Sequence, residues 1–252
     1  MKKTFRFMAV LATVTATIAS CAKAEMDAPA NEDAVGENVY QGPTKVLTFE
    51  AQTGTPQTRT SLGDVVTDGD GKKTQPVLWD ADDEIKLLYV VDGTEYSVKV
   101  TPKSVNGSTA VFEAEVPETG VETYYAVYPS SATSTLTMRE GESGEIKVGI
   151  AATTGTFKKA NIMVAKCAAS VPQLNFKHAC SIVKFTTGEV APGEVFFYSG
   201  DRTYNRGYNY VNFDSANAIA SIATVESSNK YSSVDADKPN TDYYMAIWPD
   251  YT

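Results

Sequence analysis

Three sets of side chains in this sequence are placed where they could do chemistry: a thiol behind an apolar leader, an imidazole with two further thiols, and two runs of carboxylates. Cys21 closes the run Ile18-Ala19-Ser20-Cys21, after a basic start (Lys2, Lys3, Arg6) and an apolar stretch from Phe7 to Ile18. That stretch suits a signal-peptide core and is too short to span a bilayer as a helix. An aliphatic residue, two small residues and then Cys is the pattern of a bacterial lipoprotein signal. Such a leader is cut before the Cys, whose thiol then carries a diacylglyceryl group. Residues 1–20 are therefore expected to be a leader and Cys21 a lipid attachment site. Stable anchoring takes more than one acyl chain.

The other sets give weaker chemistry. His178 is the only histidine, and it lies in the apolar run Leu174–Phe185. A Ser-His-Asp triad needs an accessible imidazole beside a nucleophile, and no Ser here carries a nucleophile motif. His178 and Cys180 fall on one face of an extended strand, with Cys167 upstream, but structural zinc takes four ligands at recognisable spacings. An exported chain permits a Cys167–Cys180 disulfide; two buried free thiols are the alternative. Asp64, Asp68 and Asp70 flank Gly69 and Gly71 but lack the distal bidentate Glu of a calcium loop. Asp80, Asp82, Asp83 and Glu84 form a second acidic run, with no motif that marks a glycosidase pair. No Gly-rich phosphate loop is present. No catalytic residue, metal or cofactor is expected, and no enzyme.

Charge narrows the partners. The formal net charge is −9 and the leader is basic, so the remainder is more acidic still. That excludes nucleic acid, which needs clustered Lys and Arg, and excludes electrostatic docking on anionic lipid. No apolar run after residue 20 is long enough for a membrane helix, so membrane contact rests on the lipid.

The elements that must position these groups read as β throughout. Residues 21–43 are rich in Ala, acidic residues, Pro and Gly and are expected to be a flexible tether. Lys45–Gln52 then places Leu47, Phe49 and Ala51 on one face. Ile85–Val91 reads as a well-buried strand, and Tyr96–Val100 and Ala110–Val116 alternate as Lys45–Gln52 does; Asp92-Gly93 lies between the first two of these segments and Asn106-Gly107 between the next two. The spacing predicts an antiparallel three-strand meander over residues 85–116. Further strands are expected around Tyr124–Tyr128, Ile146–Ile150, Ile162–Ala165, Leu174–Thr186, Val195–Tyr198, Tyr210–Phe213, Ile222–Val225 and Tyr243–Trp248. Tyr124-Tyr125-Ala126-Val127-Tyr128-Pro129 is echoed by Tyr244-Met245-Ala246-Ile247-Trp248-Pro249, which suggests two related units. The fold class is all-β, as tandem antiparallel sandwiches over residues 44–187 and 188–252. The second unit has about 65 residues where a sandwich takes about 100, so it is expected to be incomplete.

These features, in this order, resemble the fimbrillin superfamily of lipoprotein pilus subunits and related surface proteins. The matching segments are Thr58-Arg59-Thr60-Ser61-Leu62, Trp79-Asp80-Ala81-Asp82-Asp83-Glu84-Ile85, Tyr124–Pro129 and Phe176-Lys177-His178-Ala179-Cys180-Ser181-Ile182-Val183-Lys184-Phe185. Asp82 stands where the family usually has Gly. The resemblance covers most of residues 1–190 and implies two transthyretin-like sandwiches. It also implies cutting between Arg59 and Thr60, loss of the first strand, and filling of the groove by a strand from another fimbrial subunit. Arg59 lies in the polar segment Gln52–Ser61 with Gly54 and Pro56, the composition of a cuttable loop. The implied place is the outer membrane or fimbrium at the cell surface, held through Cys21, with a host protein or glycan as a further partner. The alternative reading is a glycan-binding surface lipoprotein of a polysaccharide-uptake system, its aromatics drawn from Tyr204, Tyr208 and Tyr210 with Arg202 and Arg206 beside them.

Overall fold

The computed structural model describes residues 38–53, 61–62, 65–67, 69–71, 73–74, 77–132, 134–138, 146–151, 154–198, 208–224 and 231–248. Cys21, where lipid is expected, Arg59 and Thr60, where cutting is expected, and Asp64 and Asp68 lie outside the described residues. The fold is all-β, with one four-residue helix among the described residues.

The chain opens with β1 (Thr44–Thr53), then four two-residue strands: β2 (Ser61–Leu62), β3 (Val66–Thr67), β4 (Lys73–Thr74) and β5 (Val77–Leu78). Next come β6 (Ile85–Val91), β7 (Thr94–Val100), β8 (Pro102–Asn106), β9 (Thr109–Pro117) and β10 (Thr123–Tyr128). The chain continues through β11 (Ser134–Met138), β12 (Ile146–Ala151), β13 (Thr154–Gly155), helix α1 (Phe157–Ala160), β14 (Met163–Ala168) and β15 (Gln173–His178). It ends with β16 (Ser181–Thr186), β17 (Gly193–Tyr198), β18 (Tyr208–Phe213), β19 (Ile219–Thr224), β20 (Tyr231–Ala236) and β21 (Asp242–Ile247).

Eight strands make one curled sheet in the order β7-β6-β10-β14-β15-β1-β9-β8. Strict alternation turns one side chain in two toward its inner core: Phe49 and Ala51 from β1, Ile85, Leu87 and Tyr89 from β6, Phe112 from β9, Tyr124 and Tyr128 from β10, Leu174 and Phe176 from β15. The outer face of β6, β10 and β14 is also covered. Leu88, Tyr125, Val127 and Val164 meet Leu136, Val148, Val211 and Phe213 from the four-stranded sheet β11-β12-β18-β19. Burial on both faces explains why Ile85–Val91 is apolar at every position but Lys86. A third, smaller core sets Tyr243 and Met245 of β21 against Val234 and Ala236 of β20.

The meander expected over residues 85–116 is not what forms. The β6–β7 hairpin is present, with Asp92 and Gly93 both at positive φ, as a two-residue turn of this hand requires. From β7, however, the chain turns at the single residue Thr101 into β8, a strand the sequence did not reveal. β8 then forms a hairpin with β9 around Gly107-Ser108, Gly107 taking the positive φ. So β7 and β9 are not ladder neighbours; they lie toward opposite ends of the eight-stranded sheet.

The single strand expected over Leu174–Thr186 is instead two. β15 stops at His178 and β16 starts at Ser181 in a different sheet, where it pairs with β21. The chain also leaves the eight-stranded sheet after β10, builds β11 to β13, and returns for β14 and β15. Three ladders, β12–β18, β13–β21 and β16–β21, join residues on either side of the 187/188 division. Among the described residues every ladder is antiparallel except one: β1 runs parallel to β15.

Candidate functional site

β1 is the element on which the strand-exchange expectation rests, and it sits inside the sheet. On one side it pairs antiparallel with β9, from Thr44–Pro117 to Gln52–Thr109. On the other it pairs parallel with β15, from Glu50–Gln173 to Thr53–Phe176. Its burial alternates: Phe49 is 0% exposed and Ala51 2%, while Val46 on the other face is 62% exposed. The Phe49 ring meets Tyr124 edge to face, with centroids 5.1 Å apart. At the far end, Thr53 N donates to Ser108 O at 3.0 Å and its hydroxyl donates to Val77 O at 3.3 Å. β1 thus supplies one apolar stripe and two rows of backbone partners. Taking it out would leave a slot between β9 and β15 with an unpaired edge on each side.

A second cluster lies at the turn Trp79–Ile85. Trp79 is buried, edge-on to Phe112, Tyr128 and Phe176 with centroid distances of 5.4, 5.6 and 5.2 Å, and its backbone N donates to Gly107 O at 2.9 Å. Asp83 N donates to Asp80 O at 3.1 Å, and the Asp83 carboxylate accepts from Asp80 N at 2.6 Å and from the Tyr128 hydroxyl at 2.9 Å. Asp80, Asp82 and Asp83 form the one acidic group among the described residues whose oxygens lie close enough to share a metal ion. Lys158 of α1 stands on all three instead, its Nζ 3.2 Å from Asp80, 2.7 Å from Asp82 and 3.3 Å from Asp83. Thr156 caps α1, its hydroxyl accepting from Lys159 N at 3.4 Å, which fixes the short helix that carries this lysine.

The electrostatics follow from that geometry. Burial opposes the Lys158 charge, but its hydrogen bond to Asp82 and the charges of Asp83 and Asp80 outweigh burial and raise its pKa. The hydrogen bond and charge of Lys158 lower the pKa of Asp82. Burial, then the Asp83 charge, pushes the Tyr128 phenol well up, so it acts only as a hydrogen-bond donor. This is a lock between the turn, β10 and α1. Lys158→Met should cost about 2 kcal/mol in urea denaturation, because it takes the ammonium away from the carboxylate of Asp83, whose side chain is 1% exposed and whose charge the hydrogen bonds from Asp80 N and Tyr128 do not neutralise. A loss below about 0.5 kcal/mol would show that the ammonium contributes nothing there. The sequence showed the acidic run but not its cation, since nothing local ties residue 158 to residue 82.

The thiol–imidazole set comes apart. Cys167 and Cys180 are both free and buried, Cys167 in the inner core and Cys180 in the second core. Neither the disulfide nor a shared zinc site with His178 is formed. Burial pushes the Cys167 thiol up to about 12 and raises that of Cys180 as well, so neither is a nucleophile. His178 ends β15 opposite Met163, and its Nε2 is buried without a hydrogen-bond partner. Burial alone brings its pKa down to about 4.

The aromatic cluster is only partly in view: Arg202, Tyr204 and Arg206 lie outside the described residues, and Tyr210 is half-buried on β18. No described helix is long and apolar enough to cross a membrane. No family model, no curated protein and no solved structure matches this chain.

Proposed function

We propose that this chain is a structural or adhesive surface subunit of the fimbrillin type, or a fimbrillin-like accessory protein, that assembles by exchange of β1. In this reading it is held on the outer membrane by lipid at Cys21, and its partners are other fimbrial subunits. Cutting between Arg59 and Thr60 would sever the link from β1 to the strands that follow. The slot between β9 and β15 would then accept an extended strand of matching apolar spacing from another subunit.

One observation carries the reading: β1 is hydrogen-bonded along both edges yet is joined to the rest of the sheet through a segment of cuttable composition. A strand held by two neighbours is replaced at full value only by another strand. The useful work is therefore scaffolding, with no bond turned over. The test is to expose the full chain to an Arg-specific protease, sequence the new N-terminus and follow its size in solution. A new N-terminus at Thr60 with oligomers that resist dilution is the expected result. An intact Arg59–Thr60 bond, or a cut protein that stays monomeric, would overturn the polymerising reading.

A further inference from the structure

We propose that residues 38–43 form a latch that holds β1 in its slot after the chain is cut, so that strand exchange waits on release of the latch. The inference rests on the strand-exchange reading and concerns what regulates it. Asn38 lies along the outer edge of β7. Ser97 N donates to Asn38 O at 3.1 Å, and the Asn38 side-chain amide donates to Glu95 O at 3.4 Å. Both β7 groups point away from β6, since β6 takes the other edge of that strand. Tyr40 packs edge-on against Tyr96 with centroids 5.3 Å apart. At the other end of the segment, Glu118 N donates to Pro43 O at 3.1 Å, and Lys45 Nζ donates to Glu118 O at 2.9 Å.

β7 is the outermost strand at one end of the eight-stranded order, whereas β1 lies between β15 and β9 near the other end. The segment therefore carries the chain from the β7 edge to the end of β9, where β1 begins. Its contacts on β7 involve neither β9 nor β15, so they survive when the β1 ladders open. A strand that has slipped out stays tied beside its own slot and returns there faster than a competitor arrives. The same contact covers two edge groups of β7, Ser97 N and Glu95 O, that another chain would otherwise pair with. One cut thus leaves two independent holds on the departing piece, and the slower of them sets the exchange rate.

The experiment uses the full chain with a sequence-specific protease site in place of residues 54–59. After cutting, an excess of a fluorescent peptide with the sequence of residues 44–53 is added, and its uptake is followed over time. Weakening the latch from its own side, with Asn38→Ala and Tyr40→Ala together, should speed uptake about tenfold, the effect of one aromatic pair and one edge hydrogen bond. Weakening it from the sheet, with Tyr96→Ala, should act in the same direction. Hydrogen exchange at the Ser97 amide should quicken in parallel. Equal uptake rates in all three cut proteins would overturn the latch and leave strand exchange standing. No uptake by any of them would overturn strand exchange, and the latch with it.

Discussion

Phe49→Ala is expected to lower the unfolding free energy by about 3–5 kcal/mol, the range for a large aromatic removed from a closed core. Phe49 is 0% exposed and lies edge-on to Tyr124 in the middle of β1. Its surroundings cannot close over the gap, because β1 is tied to β9 on one side and β15 on the other. The void therefore persists, and its cost adds to the lost burial. Val46→Ala is the control: Val46 is on the same strand with 62% of its surface exposed, and its loss should stay within about 0.5 kcal/mol. Urea denaturation of both variants at neutral pH decides the matter. Equal small losses would mean that β1 is not gripped by its apolar stripe, and the slot would then have no means of selecting a replacement strand.

The second large effect is set by pH. His178 is neutral in the fold, with its pKa brought down to about 4 by burial, while in the unfolded chain it takes up a proton below about 6.5. Between those values the unfolded state binds the extra proton. Stability is therefore full above pH 6.5 and is lost as pH falls toward 4, by about 3 kcal/mol across the window. Glu95 acts in the opposite sense: burial raises its carboxyl pKa, despite a hydrogen bond from the Leu136 backbone, so acid favours its folded form. His178 is the chain's only histidine, so the difference between the parent and His178→Phe isolates its share. Denaturation of both proteins at a series of pH values should show the parent losing stability relative to the variant as the pH is lowered through that window. The same slope in both proteins between pH 6.5 and 4.5 would overturn the assignment.

How much of the fold and of the candidate site is legible in the sequence depends on whether the signal is local. The alternation in Lys45–Gln52 is enough by itself to put Phe49 and Ala51 on the buried face, and Asp92-Gly93 marks a real hairpin. β8 escapes because Pro102–Asn106 is nearly all exposed and carries no apolar period. The break between β15 and β16 escapes because Ala179-Cys180 has no Gly or Pro to announce it; both residues are small and apolar, and both are buried. The return of the chain for β14 and β15 has no local mark at all. Partner choice between distant strands is decided by which faces remain uncovered, and period two does not encode it. The Lys158 lock shows the same limit from the side of charge: its carboxylates are plain as a run, but a cation 76 positions away is not.

The parallel ladder has a consequence for how the polypeptide comes together in time. Gln52 and Asn175, joined side chain to side chain across that ladder, are 123 positions apart. During synthesis the leading strand has its β9 neighbour early, but its second neighbour only after most of the polypeptide has appeared. Such distant closure is slow, because the loop entropy is spent before the contact is gained. Until then one flank of the nascent strand stays open, and a chaperone or a stray extended peptide meets a half-built sheet at the place where the finished molecule is sealed.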